Sequence, residues 1–276
     1  MWPKSSRSMV TAGTIIVVII LTLDAYSHLV GLDPLQTTFQ VLSPPALDHV
    51  MGTDQLGRDI FSRVSFGTTF SLLVAFVSVI ISVGTGSIIG ALSGFFGGKI
   101  DQATSLLFDA LYALPALVIA ILIAAMIGTG IVNTGLAIAI GYIPQYFRIV
   151  RGIIFSIKER PFIESTRAIG AGYGNLIFRH MMPYAIPSII ALMTLNMGSA
   201  IVDVSGLGFL GLGLPPPTPE WGTDLGRGRD FITAGVWWTS TFPGLMIVIS
   251  VLGFTLVGEG LDEIFRATST RKKETF

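Results

Sequence analysis

The sequence predicts an all-α integral membrane protein, on three observations. Mean hydropathy is +0.73, only 12% of the 276 residues are charged, and apolar runs long enough to cross a bilayer recur along the chain. A soluble domain of this size carries about twice that share of charge. The formal net charge of zero says nothing about nucleic acid, but the only basic tract is the short C-terminal tail, so no nucleic-acid partner is expected. The chain has no cysteine, which removes disulfides, thiolate metal sites and thiol nucleophiles together. No cofactor and no metal site are expected.

Six spans are read in order. The first apolar run, residues 9–23, follows Lys4 and Arg7 and continues through residues 25–32 without a small-x-small cleavage site. It reads as an uncleaved span and not as a signal peptide. The others are residues 66–96, 103–127, 131–147, 183–204 and 237–257, set against a hydrocarbon core of ~30 Å. The chain then divides into an N-terminus with the first helix (1–32), an external loop (33–65) and a five-helix core with a tail (66–276). With the N-terminus inside, the outside segments hold only Arg58, Arg63, Arg227 and Arg229, and the other thirteen Lys and Arg lie inside. By the positive-inside rule both termini and the segment 148–182, between spans four and five, are cytoplasmic.

The external loop carries Pro44-Pro45 and then GTDQLGRDIFSR, residues 52–63. Asp54, Arg58, Asp59 and Arg63 have the spacing of an interfacial helix with internal charge pairs; a solvated loop with surface pairs is the equal alternative. In the second span Ser82, Gly86, Gly90, Gly94 and Gly98 place a small residue at every fourth position, a stripe that lets another backbone approach. It reads as packing within the bundle in preference to a dimer seam. Gly98-Lys99 is no phosphate loop, because Ser93 and Ile100 occupy the required glycine and Ser/Thr positions.

Asp109 falls in the third span, where an ionisable group is a functional candidate by default; a helix-end group reaching water is the competing reading. Pro115 predicts a kink there. Asp203, in the fifth span, is either a lining residue or a polar packing contact, and Asn133 and Asn196 are weaker candidates. In residues 204–231 Gly206, Gly208, Gly211 and Gly213 alternate with apolar residues, so the helix is expected to stop there. Pro215, Pro216 and Pro217 stiffen the exit, and Trp221 reads as an interfacial anchor. GTDLGRGRDF at residue 222 echoes GTDQLGRDIF at residue 52, an echo read as shared loop composition. Glu259, Asp262 and Glu263 read as solvated helix-end groups.

The largest polar island on the cytoplasmic side is residues 164–183, ESTRAIGAGYGNLIFRHMMP, approached through Arg148, Arg151, Lys158, Glu159 and Arg160. Pro161 suits a first helical turn, so a short helix over 162–169 should break at Gly170. Glu164, Gly170 and Pro183 match the EAA loop of permease subunits of bacterial ABC importers, which this segment resembles. Ser165 and Thr166 replace the two alanines, and His180 and Met182 stand where that family favours Ile and Leu. GTDxxGRDxxSR at 52–63 and FLGLGxxPPTPxWG at 209–222 resemble the dipeptide, oligopeptide and nickel branch of these permeases.

That resemblance implies a coupling helix, with Glu164, Ser165, Thr166, Gly170 and Pro183 docking into a groove on an ATPase subunit. It implies as partners two ATP-binding subunits, a second homologous permease, an extracytoplasmic substrate-binding protein and the lipid bilayer of the bacterial inner membrane. This chain has no P-loop and is not itself expected to be an enzyme. Small peptides are the expected substrate, with nickel or a metal chelate as the alternative. A different class, an ion-coupled secondary transporter relaying through Asp109 and Asp203, lacks the internal repeat such folds carry. An intramembrane enzyme finds no support: His28, His49 and His180 are isolated, and neither H-E-x-x-H nor G-x-S-x-G occurs.

Overall fold

The computed structural model describes residues 4–37 and 39–274. The side chains of Lys4 and of the tail residues Arg266, Arg271, Lys272 and Lys273 lie outside the described residues. The α-helices are α1 (Lys4–Val30), α2 (Ile60–Phe96), α3 (Gly98–Tyr112), α4 (Ala116–Ile127), α5 (Ile131–Ile157), α6 (Pro161–Ala168), α7 (Ile186–Phe209), α8 (Trp221–Gly228) and α9 (Trp238–Glu274). A π-helical turn (Asn175–Met181) and two 3-10 turns (Met182–Tyr184, Arg229–Ala234) complete them. Among the described residues there is no strand, only two isolated bridges in the loop before α2.

Four helices, α1, α2, α7 and α9, are long and apolar enough to cross a membrane, and α3 with α4 makes a fifth if a bent pair counts as one span. The third expected span is therefore not one helix. Its halves meet at 91°, because Pro115 sits in an extended conformation (φ −58, ψ 135) as the N-cap of α4. Proline disfavours helical geometry in the residue before it, so Leu114 cannot continue α3. α5 falls short of the same apolarity because it carries Asn133, Gln145, Arg148 and Arg151.

What holds α5 is α2, its most extensive helical neighbour. A Cβ on Gly86 would lie 2.6 Å from the Ile143 carbonyl oxygen, one on Gly90 2.5 Å from that of Phe147, and one on Gly94 2.7 Å from that of Arg151. Ser82 Oγ donates to the Ala139 carbonyl at 2.8 Å. Positions on both helices advance by four together, so α2 and α5 run in the same direction. The small-residue stripe is thus an internal packing device. Gly98 is the exception: it starts α3 at φ +60 with nothing within 4 Å.

The helices enclose two clusters. The larger joins Val74, Ala75 and Val79 of α2 to Ile138 and Tyr142 of α5 and Ile201 of α7. The smaller lies at the α6 end and joins Phe95, Val150, Ile154, Ile163, Ile177 and Met181. α1 lies along α9, with Gly13 against the Gly253 carbonyl and Gly260 against Ser6 and Val10.

At the opposite end three expectations are decided. First, of the two equal readings of residues 52–63 the loop holds over the interfacial helix, but its Asp54 and Arg58 are buried and not solvated. Residues 52–59 are a loop, and α2 starts at Ile60 because the Asp59 carboxylate accepts from Ser62 N at 2.8 Å. Asp54 builds the turn before it, accepting from Leu56 N (2.8 Å) and Arg58 N (3.0 Å) and from Arg58 Nε at 2.6 Å. Second, α7 continues through Gly206 and Gly208. A Cβ on Gly208 would sit 2.9 Å from Thr223 N, so that glycine is where α8 lies on α7, not where α7 stops. Third, Trp221 is fully buried and donates to the Val64 carbonyl at 2.8 Å; it is a core residue and not an interfacial anchor.

Glu220 caps α8, accepting from Gly222 N at 2.8 Å and Thr223 N at 2.7 Å. Burial pushes its carboxyl up, against the pull of those N–H donors. The end of the 52–63 motif meets the second echoing segment here as well. Arg63, 2% exposed, donates to Asp224 Oδ1 from Nη2 at 2.6 Å and Nε at 3.2 Å. Its Nη1 donates to the Pro34 and Pro217 carbonyls at 3.2 and 3.4 Å.

Two substitutions test this packing in purified protein by thermal unfolding. Gly90→Leu should destabilise by about 3 kcal/mol or prevent folding, while Gly84→Leu, with nothing within 4 Å of its Cβ, should be neutral. Arg63→Met should cost about 3–5 kcal/mol by stranding the buried Asp224 charge, and adding Asp224→Leu should recover most of it.

Candidate functional site

The α6 end is built from one short helix and its cap. Pro161 opens α6 at the first turn, where its missing N–H costs nothing. Glu164 sits in that first turn, where a carboxylate is favoured by the helix dipole. Ser165 Oγ donates to the Pro161 carbonyl at 2.8 Å and Thr166 Oγ1 to that of Phe162 at 2.7 Å, so both hydroxyls are satisfied within the helix. Gly170 ends it at φ +91. Gly170 N donates to the Arg167 carbonyl at 3.0 Å and Ala171 N to that of Thr166 at 3.3 Å, the paired bonds of a Schellman cap.

One face of α6 is tied down and the other is not. Ile163 is fully buried in the smaller cluster, the Arg167 guanidinium lies 5.8 Å from the Phe95 ring centroid, and Phe162 packs on Tyr184 at 5.7 Å. Glu164, Ser165, Ala168 and Gly170 are exposed, and Ile169 is 86% exposed. The structure therefore gathers Glu164, Ser165, Thr166 and Gly170 on one element. Pro183 stands apart, beyond the π-helical turn and in the 3-10 turn that leads into α7. Leu176, Ile177 and Met181 of the π-helical turn are buried with Ile163, Ala185 and Ile189, so a continuous apolar contact joins α6 to the start of α7.

The two aspartates have different surroundings. Asp109 is 60% exposed and pairs with Arg148 Nη2 at 2.7 Å, while that guanidinium stacks 4.2 Å from the Tyr112 centroid. Asp203 is 8% exposed and accepts from Tyr142 OH at 2.7 Å, tying α7 to α5. They share no partner. Asn196 Nδ2 bonds Gln145 Oε1 at 3.0 Å and Tyr146 OH at 3.1 Å, and Asn133 Nδ2 closes the α4–α5 turn on the Ile127 carbonyl at 2.9 Å.

Sequence reasoning missed a further polar contact. Asp101 takes Arg151 Nε at 2.5 Å and Nη2 at 2.6 Å, and Ser93 Oγ at 2.5 Å, binding α2, α3 and α5 near α6. The available signal was a carboxylate just past a Gly-Gly turn and an arginine three residues beyond Arg148. Neither names the other as its partner.

The family model described as binding-protein-dependent transport system inner membrane component matches residues 86–269, from the glycine stripe of α2 through α6 into α9. The di/tripeptide transport system permease protein DppC of Pseudomonas aeruginosa is 42% identical over 227 residues, covering 80% of this chain and 75% of that protein. The probable D,D-dipeptide transport system permease protein DdpC of Escherichia coli is 36% identical over 263 residues, covering 95% and 88%. Among solved structures, a chain from inward facing conformations of the MetNI methionine ABC transporter superposes with a TM-score of 0.58 at 19% identity, over 74% of this chain and 95% of that one. Identity that low is a likeness of fold. The family match spans well over half the chain and the relatives extend it, so the chain belongs to the inner membrane components of binding-protein-dependent transport systems.

Proposed function

We propose that this chain is the transmembrane permease subunit of an ABC importer for small peptides, and that α6 is its coupling helix. The observation that carries the reading is the division of α6: Ile163 is sealed into a cluster reaching α2, α5 and α7, while Glu164, Ser165 and Ile169 face outward. A partner pressing on the outward face would move three membrane helices through one apolar contact. Pro161 and the Schellman cap at Gly170 keep the helix short, so force is delivered and not absorbed by fraying.

Six spans are part of the proposal, with α5 as the sixth. α5 lies parallel to α2 from the Ser78–Gly135 contact to Gly94–Arg151, about 24 Å along the axis at 1.5 Å per residue. A helix running beside a spanning helix over that length shares its membrane. The Lys and Arg bias supports a cytoplasmic position for both termini and α6. ATP is hydrolysed on two separate subunits, whose closure displaces α6 and tilts the bundle. The substrate, delivered by an extracytoplasmic binding protein, passes between this subunit and a second homologous permease. The names of both relatives favour peptide over nickel.

Ser165→Cys introduces a single thiol into a cysteine-free chain. In membranes it should crosslink to cysteines placed around the groove of the partner ATPase, in an ATP-sensitive manner. No crosslink despite confirmed expression would remove the coupling role. Gly170→Val meets no neighbour, so it acts only by straining a positive φ, by about 1–3 kcal/mol. The assembled variant should hydrolyse ATP with much reduced uptake, and Gly170→Asn, which tolerates positive φ better, should lose less. Normal uptake per ATP in Gly170→Val would contradict the role of the cap.

A further inference from the structure

We propose that a cavity at the α8 end binds the free carboxylate of a small peptide through Arg227; this rests on the peptide-import reading. The cavity has a volume of about 380 Å³ and lies between the end of α7, the turn at Leu210–Pro216, and α8. That is within the range of small-molecule sites. Phe209, Leu210 and Pro215 give it an apolar wall, and Thr223, Arg227 and Asp230 bring polar groups to it.

The pairing of the arginines singles out Arg227. At this end Arg58 is paired with Asp54 at 2.6 Å, Arg63 with Asp224 at 2.6 Å, and Arg229 with Asp230 at 3.3 Å. Among the described residues Arg227, only partly exposed, forms no ion pair. It also borders the small gap lined by Asp54, Arg63 and Asp224, but those carboxylates are already balanced by Arg58 and Arg63. Arg227 is thus the arginine of this end left without a carboxylate partner, and it lines a cavity with an apolar wall. Its planar set of donors suits a carboxylate taken in bidentate fashion.

The far end of a peptide has a place too. Asp230, one turn beyond Arg227, lines the same cavity. Its pair with Arg229 is exposed on both sides, 70% and 54%, and such pairs contribute little. Exchange of that partner for a peptide ammonium is therefore cheap. An anion lacking an ammonium would use only Arg227, and a capped peptide would lose it.

The test uses the complete transporter in proteoliposomes, with Leu210→Cys as the reporter. Leu210 is 55% exposed, and the chain has no other thiol. Labelling by a membrane-impermeant thiol reagent is timed with alanyl-alanine, with its C-terminal amide, or with neither. We expect alanyl-alanine to slow labelling and the amide not to. Adding Arg227→Gln should weaken protection, taken relative to that variant's own unprotected rate, about tenfold or more, the loss of a charged hydrogen bond; Arg227→Lys should retain part of it. Equal protection by the amide overturns the proposal, a comparison that needs no Arg227 variant. Protection surviving Arg227→Gln overturns it as well. ATP-driven dipeptide uptake without any protection overturns the site and leaves the import reading intact. Carboxylate-dependent protection without uptake supports the site and removes the import reading.

Discussion

The contact on which the rest of the bundle depends is the backbone approach of α2 to α5. In lipid, apolar side chains gain nothing by leaving one hydrocarbon for another, so helices associate through close packing and hydrogen bonds. Gly86, Gly90 and Gly94 supply the first and Ser82 the second. With α5 seated, Tyr142, Tyr146 and Gln145 meet Asp203 and Asn196 of α7, and Arg151 reaches Asp101 at the start of α3. A helix with too many polar groups to be comfortable in lipid alone becomes the one that others are fastened to.

The two ends of the molecule are fastened by different physics. At the α6 end the connection is apolar: Ile163, Ile177 and Met181 pack with Phe95, Val150 and Ile154. Such contacts tolerate small sliding movements while still transmitting force. At the α8 end it is polar and buried. Arg63 joins α2 to Asp224 and to two loop carbonyls, and Glu220 is ringed by donors from α8 and Ser71. Breaking any of these strands a buried charge, so this end is the rigid one. A bundle driven from the α6 end, as we propose, and held stiff at the other would tilt as a body.

Much of this was legible in the sequence, because it rests on local rules. Low charge and long apolar runs fixed the class, and Pro161 and Gly170 bracket α6 within a residue of where the helix lies. A small residue at every fourth position already implied a backbone contact inside the bundle. These signals need no knowledge of what lies across the gap, since proline, glycine and periodicity constrain the chain where they stand.

What only the tertiary structure decided is which surfaces meet. Gly206 and Gly208 look like helix breakers until α8 is laid across Gly208; Trp221 looks interfacial until it is seen closing over Gly67. The echo between residues 52 and 222 gave no hint that Arg63 and Asp224 would pair across 161 positions. Asp109 and Asp203 were alike in sequence, and only packing set one in an exposed pair with Arg148 and the other against a buried tyrosine. Sequence determined the class of the protein, its long apolar helices and its short α6, because each is a property of consecutive residues. The partners of its charges and glycines were left to the fold, because a long-range contact depends on the geometry of both sides at once.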